Sequence, residues 1–421
     1  MMTQEQSRAA QSLWQNNTRQ IVQLIAGAGS GKTTTLIETV AEGIRSGFPA
    51  EKICMITFTR KAAAEMGERL KARGISAGYT GTMHALGYRI LRSQANFKKT
   101  LILHREKILT EILKREFRHL SHIPPKVILH RDFLKGAEKE KMENLYRHYK
   151  RKHCLIDLDD LVLEAAEIIR KFPESFGYTC ILVDEFQDTS PDQMHFIKSI
   201  QFEKLFVVGD DWQSIYMFRG ADVNIAIDFQ KHFPEVKRLF LTDNFRSQRH
   251  IVKLGNKAIR LSSAYIRKKL RTQKGNSIKP VCHIVHGIDD IEIIWRLYHK
   301  KHYLKENLSG LTILVRTNYL KQKLWACVPP EVHILTIHGA KGLEFDNVLV
   351  FGVARHIFPH RWNQFDEEVR LLYVAITRAK KRLEFLSWED ENTFSGFMPF
   401  LTKNCRLNYL ATSWRGPEQM Q

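Results

Sequence analysis

Apolar and β-branched residues gather in short runs at 21–25, 53–58, 180–183, 205–208, 311–315, 333–337, 348–353 and 383–386. Between these runs the apolar positions recur at helical spacing. Strands that alternate with helices predict an α/β chain whose parallel sheets are covered on both faces. The runs divide into an early and a late group, which predicts two sheets. Over 157–171, apolar residues at 158, 161, 162, 165, 168 and 169 line one helical face, with an acidic start and a basic end that suit the helix dipole. That helix reads as scaffold. The stretch from roughly 90 to 155 reads mostly as helix, punctuated by Pro124-Pro125. Internal repeats, low-complexity tracts and Pro/Gly-rich linkers are absent from the sequence.

A length of 421 residues predicts two to four domains, and 43% hydrophobic against 26% charged residues is enough to bury cores. No run approaches the ~18 apolar residues of a membrane span, and the opening MMTQEQSRAAQ lacks a signal-peptide core. The six cysteines form no CxxC pair and no zinc spacing. A reduced, cytoplasmic chain with no membrane partner is therefore expected.

Charge changes the picture. Lys and Arg exceed Asp and Glu by 20, and the whole excess sits in two stretches: a net of +9 over 98–152 and of +11 over 244–288. Concentrated positive charge suits a polyanionic partner, because neutralising phosphates releases counterions and gives affinity without sequence readout. Two solvated helical faces would carry the same charge.

The motif Ala26-Gly-Ala-Gly-Ser-Gly-Lys-Thr33 follows an apolar run and precedes a helical pattern. It departs from G-x-x-x-x-G-K-[ST] only at its first position, where Ala26 is still small. Gly27, Gly29 and Gly31, with Ala28 and Ser30 between them, let backbone N–H groups curl toward phosphate oxygens, and the helix opening at Thr34 adds its positive end. Lys32 can reach the β- and γ-phosphates, and the Thr33 hydroxyl can ligate Mg²⁺. A second motif, Asp184-Glu185, stands at the carboxyl end of an apolar run, where open α/β sheets bind ligands. Asp184 would hold Mg²⁺ directly or through water, and Glu185 would deprotonate the attacking water. A third segment, Val207 to Ala221, combines a strand, a polar turn whose Gln213 can sense a γ-phosphate, and the aromatic-Arg cluster Tyr216, Phe218 and Arg219. Such rings stack bases at ~1–3 kcal/mol each; spacing alone leaves core packing and base stacking both open. Asn244-Phe245-Arg246-Ser and Tyr373 to Ala379 each offer one Arg in a polar setting.

Together these segments resemble superfamily 1 DNA helicases of the UvrD/Rep type, and the third motif is similar to that of the helicase IV branch. The resemblance adds Gln6, Thr57-Phe-Thr59 with Lys61-Ala-Ala, Gly81-Thr-Met-His84, Arg316-Thr-Asn318 and Thr336 to Phe345 with Lys341 and Glu344, in order from residue 6 to about 386. It implies two RecA-like P-loop lobes, ATP between them, Mg²⁺ as cofactor and single-stranded or tailed duplex DNA as partner. Gln6 and Phe245 would meet the adenine, Glu344 the sugar or its surroundings. Gln213 would link the γ-phosphate to the DNA site, and Arg246 and Arg378 would be arginine fingers from the second lobe. Phe58, His84, Phe218, Arg219, Asn318 and His338 would line the strand. The implied activity is an ATP-dependent helicase or translocase moving 3′ to 5′.

Expected boundaries are a first lobe at 1–91 and 157–240, a short helical insertion at 92–156, a second lobe at 241–400 and a C-terminal tail at 401–421. Two departures bear on function. Phe218 stands where many relatives have Trp, and only about 87 residues separate Ser247 from Leu335, too few for the large accessory domain that UvrD-type relatives carry there. A DNA-stimulated motor subunit, stripping proteins or serving a larger complex through a protein partner, is therefore the alternative.

Overall fold

The computed structural model describes residues 2–15, 18–102, 104–120, 122–123, 128, 133–275, 278–286, 288, 290–302, 310–360, 363–389 and 396–410. Its strands in chain order are β1 (Gln20–Ala26), β2 (Ile53–Thr57), β3 (Tyr79–Thr82), β4 (Thr100–Leu101), β5 (Leu155–Ile156), β6 (Cys180–Val183), β7 (Lys204–Gly209) and β8 (Lys237–Leu241). There follow β9 (Val281–Val285), β10 (Leu311–Val315), β11 (His333–Thr336), β12 (Phe345–Phe351), β13 (Ala379–Ser387) and β14 (Arg406–Leu410). Two six-stranded sheets result, in the orders β3-β2-β6-β7-β1-β8 and β11-β10-β12-β13-β9-β14. Every pairing in both is parallel, as the alternation of strands and helices requires.

Period-two alternation sends successive strand residues to opposite faces. Cys54, Ile56, Ile181, Val183, Leu205 and Val207 enter one core of the first lobe. Their neighbours Ile53, Met55, Cys180, Leu182, Phe206 and Val208 enter the other. The second sheet divides in the same way. One of its two cores also receives Ala28, Trp212 and Ile215 from the first lobe, so the lobes share buried apolar contact rather than meeting only through polar groups.

All eight expected runs are strands, and the structure adds four to the two large sheets. β3 and β8 are half-exposed, and β3 carries Gly81 where an apolar residue would announce a strand. β9 hides a buried His283 whose imidazole pairs with Glu384 at 3.2 Å. β14 is an edge strand with exposed polar positions. Its presence corrects the expected tail at 401–421. Helix Met398–Asn404 buries Met398 and Leu401, and β14 pairs with β9, so the second lobe continues to Leu410; 411–421 lie outside the described residues.

In the insertion, helices Arg105–Glu116 and Gly136–Lys152 build a separate small core around Ile112, Leu113, Phe117, Met142 and Tyr146. A short parallel pairing of β4 with β5 ties its two ends together; Pro124-Pro125 lie outside the described residues. Between Ser247 and Leu335 the described chain is spent on helices Arg249–Ala258, Ile291–His302 and Asn318–Trp325, strands β9 and β10, and the segment that joins them. Among the described residues no accessory domain is present there. No helix is long and apolar enough to cross a membrane among the residues described.

Candidate functional site

The glycine motif runs from the end of β1 into helix Lys32–Arg45. Gly29 and Gly31 have φ of 68° and 82°, the left-handed region that side chains disfavour. A Cβ on Gly31 would lie 2.4 Å from the Gln6 amide, and one on Gly29 would lie 2.7 Å from Arg246 Cβ. The loop is also tied from outside. Gln6 Nε2 donates to the Ser30 carbonyl at 3.0 Å, Asn244 Nδ2 to the Ala28 carbonyl at 2.7 Å, and the Phe245 N–H to the Gly29 carbonyl at 2.9 Å. Gln6, expected at the adenine, thus braces the loop in this structure. Phe245 leaves half its ring exposed beside it.

β6 ends under this loop and presents Asp184 and Glu185. Glu185 has φ 50°, a strained value for a residue with a side chain. Gln187 Nε2 donates to the Glu185 carboxylate at 2.6 Å, and Lys32 Nζ lies 3.9 Å from it. Burial would raise the Glu185 carboxyl, but the ammonium groups of Lys32 and Lys341 outweigh it and hold it ionised below the usual range. Asp184 moves the other way, pushed up by burial and by the Glu185 charge. Its carboxylate accepts from the Glu185 N–H at 2.9 Å, and no cationic group lies within ion-pair distance among the described residues. Asp184, buried and without an ion pair, and the Thr33 hydroxyl in the first turn of helix Lys32–Arg45 are hard oxygen donors of the kind Mg²⁺ takes.

The second lobe closes the site. Arg378 follows helix Phe365–Thr377 at the start of β13, and its side chain is buried. Its Nη2 donates to Gln213 Oε1 of the first lobe at 2.9 Å, and Nη1 to the Leu343 carbonyl at 3.0 Å. Burial and then the nearby Arg246 charge push the guanidinium down to about 9, which still leaves it charged at neutral pH. Lys341 donates to Asp188 and, at 3.0 Å, to the Gln213 carbonyl. Burial pushes Asp188 up to about 6 even with that ammonium on it. Arg246 instead pairs with Glu344 at 2.6 Å, and Lys380 meets the same carboxylate at 3.0 Å. Two expected site residues, Arg246 and Glu344, therefore satisfy each other here. Gln187, Asp188, Asp210 and Lys341 belong to the same network although their motifs assign them no role; the contacts that join them, Lys341 on Asp188 and the Asp210 N–H on Gln187, link separate segments.

Beside the carboxylates runs a row of rings. Phe58 stacks on Tyr216 with centroids 5.3 Å apart and planes at 13°. Tyr216 meets Phe218 at 6.0 Å, and Phe218 meets His338 of the second lobe edge-on at 5.3 Å. Arg219 lies 5.2 Å and 5.4 Å from the rings of Tyr216 and Phe218. Phe218 is 54% exposed, which decides between the two readings of this cluster against core packing for that ring. Burial, with Arg316 and other cations near it, pushes His338 down to about 4, so it joins the row as a neutral ring. His84 lines one cavity with Phe58, Asp184 and Glu185 and is also lowered by burial. Asn318 is exposed at the start of its helix and is not part of the row.

The basic stretch 244–288 only partly behaves as an open phosphate track. Lys268 is fully buried as a side chain, Arg246 is paired with Glu344, and Arg271 meets Glu5 and Asp243. Arg249, Lys253, Arg260, Arg267 and Lys269 remain exposed.

A family model described as an AAA domain matches residues 6–219, and one described as a UvrD-like helicase C-terminal domain matches residues 326–391. The chain is 27% identical over 89% of its length to a "Probable DNA helicase" of Mycoplasma pneumoniae, of which it covers 82%. It is 32% identical over 61% of its length to a "Putative ATP-dependent DNA helicase YjcD" of Bacillus subtilis and covers 39% of that protein. To the "ATP-dependent DNA helicase PcrA" of Staphylococcus epidermidis it is 29% identical over 75% of its length, covering 48%. It thus spans less than half of the latter two. With nucleotide loop, acidic strand end and ring row on the same two-lobed frame, the chain belongs to the UvrD/Rep type of superfamily 1 helicases.

Proposed function

We propose that this chain is an ATP-driven motor that moves 3′ to 5′ along single-stranded DNA and separates tailed duplexes. The observation that carries the reading is the segment from Gln213 to Phe218. At one end Gln213 touches Arg378 across the lobe boundary; a few residues on, Tyr216 and Phe218 stand in the ring row, which also crosses that boundary through His338. A change at the nucleotide would therefore be felt where bases would stack.

In this reading the backbone of 27–31 binds the triphosphate, and Lys32 neutralises its terminal charge. Glu185, ionised and oriented by Gln187, takes a proton from the attacking water. Arg378, with Arg246 once freed from Glu344, stabilises charge on the transferring phosphoryl group. Thr33 and Asp184 would hold Mg²⁺, which when bound offsets the negative charge of the phosphates. Phe245, half exposed beside the loop, offers a face for the adenine. Phe58, Phe218 and the neutral His338 offer faces for successive bases, and Arg219 a cation near the strand.

A motor subunit that hydrolyses ATP on DNA without unwinding alone is the second reading. It is favoured by the chain between Ser247 and Leu335, which is spent on the second lobe itself. Duplexes with a 3′ or a 5′ single-stranded tail separate the possibilities. Opening of the 3′-tailed duplex alone supports the first reading, and opening of the 5′-tailed one alone reverses the direction. Brisk ATP hydrolysis with neither duplex opened selects the second reading.

A further inference from the structure

The segment between helix Arg249–Ala258 and β9 departs from the second lobe and returns to it. Along the way it lies against the first. Ser263 and Ala264 are held by Asp366 and Arg370 of the second lobe, at 2.9 and 2.8 Å. The next residues cross over. The Ile266 N–H donates to Asp211 at 2.7 Å, and its carbonyl accepts from the Trp212 indole at 3.0 Å. Leu270 lies so close to the nucleotide loop that a Cβ on Gly27 would be 2.2 Å from it.

Lys268 is the polar centre of this strap. Its ammonium is 2.9 Å from Asp210 and 2.6 Å from Asp211, lies 4.3 Å from the Trp212 ring centroid, and all three charged side chains are buried to within 1%. Asp210 is in turn a hub. Its other carboxylate oxygen accepts from Gln213 Nε2 at 2.6 Å, which turns the Gln213 carbonyl oxygen toward Arg378 at 2.9 Å. Its backbone N–H donates to Gln187 Oε1 at 2.9 Å, and Gln187 Nε2 donates to Glu185 at 2.6 Å. Each amide has one orientation that serves both of its neighbours. An unpaired carboxylate at this depth would be costly and would seek other donors.

We propose that Lys268 is a positioning residue for ATP hydrolysis: by fixing the Asp210 carboxylate it orients Gln213, and through it Arg378. Lys268 touches neither nucleotide nor DNA in this scheme. The inference rests on the reading of Glu185, Gln213 and Arg378 as the hydrolytic site, and it adds a connection from the strap to that site.

The test is a double-mutant cycle read in steady-state ATP hydrolysis on single-stranded DNA. Lys268→Met is expected to lower kcat about tenfold or more while KM for ATP changes less than about threefold. In a Gln213→Ala background the same substitution is expected to cost less than about twofold further, because its effect passes through Gln213. Cooperative melting establishes that each variant folds. If Lys268→Met does not fold, Lys268→Met/Asp211→Asn, which removes one of the two buried negative charges, carries the same comparison. Unchanged kcat in a folded variant, or losses that multiply fully with Gln213→Ala, would overturn the proposal. Absence of hydrolysis by the unaltered chain would instead overturn the underlying reading, so the two failures are distinguishable.

Discussion

Glu185 occupies a left-handed backbone conformation at φ 50°, the kind of position that costs ~1–3 kcal/mol unless its surroundings enforce it. Here Gln187 and the paired charges of Lys32 and Lys341 hold its carboxylate ionised. An amide of the same shape can accept similar hydrogen bonds but cannot take a proton. Glu185→Gln should therefore retain binding of a fluorescent ATP analogue and lose hydrolysis by at least ~100-fold; normal turnover would remove Glu185 from the role of base. Lys32→Ala should abolish turnover in the same assay. Arg378 donates to two backbone carbonyls as well as to Gln213, so its truncation also disturbs packing. Its slowing of hydrolysis should nonetheless exceed its weakening of ATP binding. Equal losses would contradict a role in the transition state. Lys32, Thr33, Asp184 and Glu185 are legible in the sequence because local spacing defines them. Asp210, Gln187 and Lys268 are not, because each is defined by partners on other elements, and Lys268 in a basic stretch reads as one more surface charge.

At the scale of elements, seven of the eight strands foreseen carry runs of buried apolar residues, and β11, a half-exposed edge strand, is foreseen from its β-branched and apolar residues alone. β3, β8 and β14 escape because their exposed or polar positions blur the pattern, and β9 because a buried histidine interrupts it. That histidine belongs to a buried polar group on the second sheet. Burial would raise Glu384, but His283, Tyr298 and Arg382 hold it at about 2, below the ordinary value of 4.5. A depressed folded value contributes stability above the unfolded pKa, and that stability is lost as pH falls from about 4.5 toward 2. The contribution is on the order of 3 kcal/mol. Glu384→Gln should accordingly give a shallower loss of melting temperature over that acid range than the unaltered chain. The ring row makes a contrasting prediction. Phe218 is exposed, so Phe218→Ala should leave the melting temperature nearly unchanged yet weaken single-strand binding by ~1–3 kcal/mol. Trp212, 1% exposed in the shared core, should do the reverse of the first effect: its truncation to Ala should cost ~3–5 kcal/mol of stability, read by denaturant titration.

The whole molecule joins two parallel sheets through contacts that are also parts of the site: Trp212 in the second lobe's core, Lys341 on Asp188, Arg378 on Gln213. Relative movement of the lobes must rearrange these groups, which is how hydrolysis would become motion. The two-lobed architecture is legible from the grouping of strands, whereas the continuation of the second lobe through β14 is not, since Arg406 and Asn408 interrupt its short apolar run. The sequence carries the amount of positive charge but not its use, because several cations of 244–288 are consumed by internal pairs. The most direct measurement is steady-state ATP hydrolysis with and without single-stranded DNA, using Glu185→Gln as the blank. A motor of this design predicts a rate that rises at least ~tenfold on adding the strand, above a blank that stays flat. A rate that is the same with and without DNA would contradict the coupling of nucleotide site to ring row.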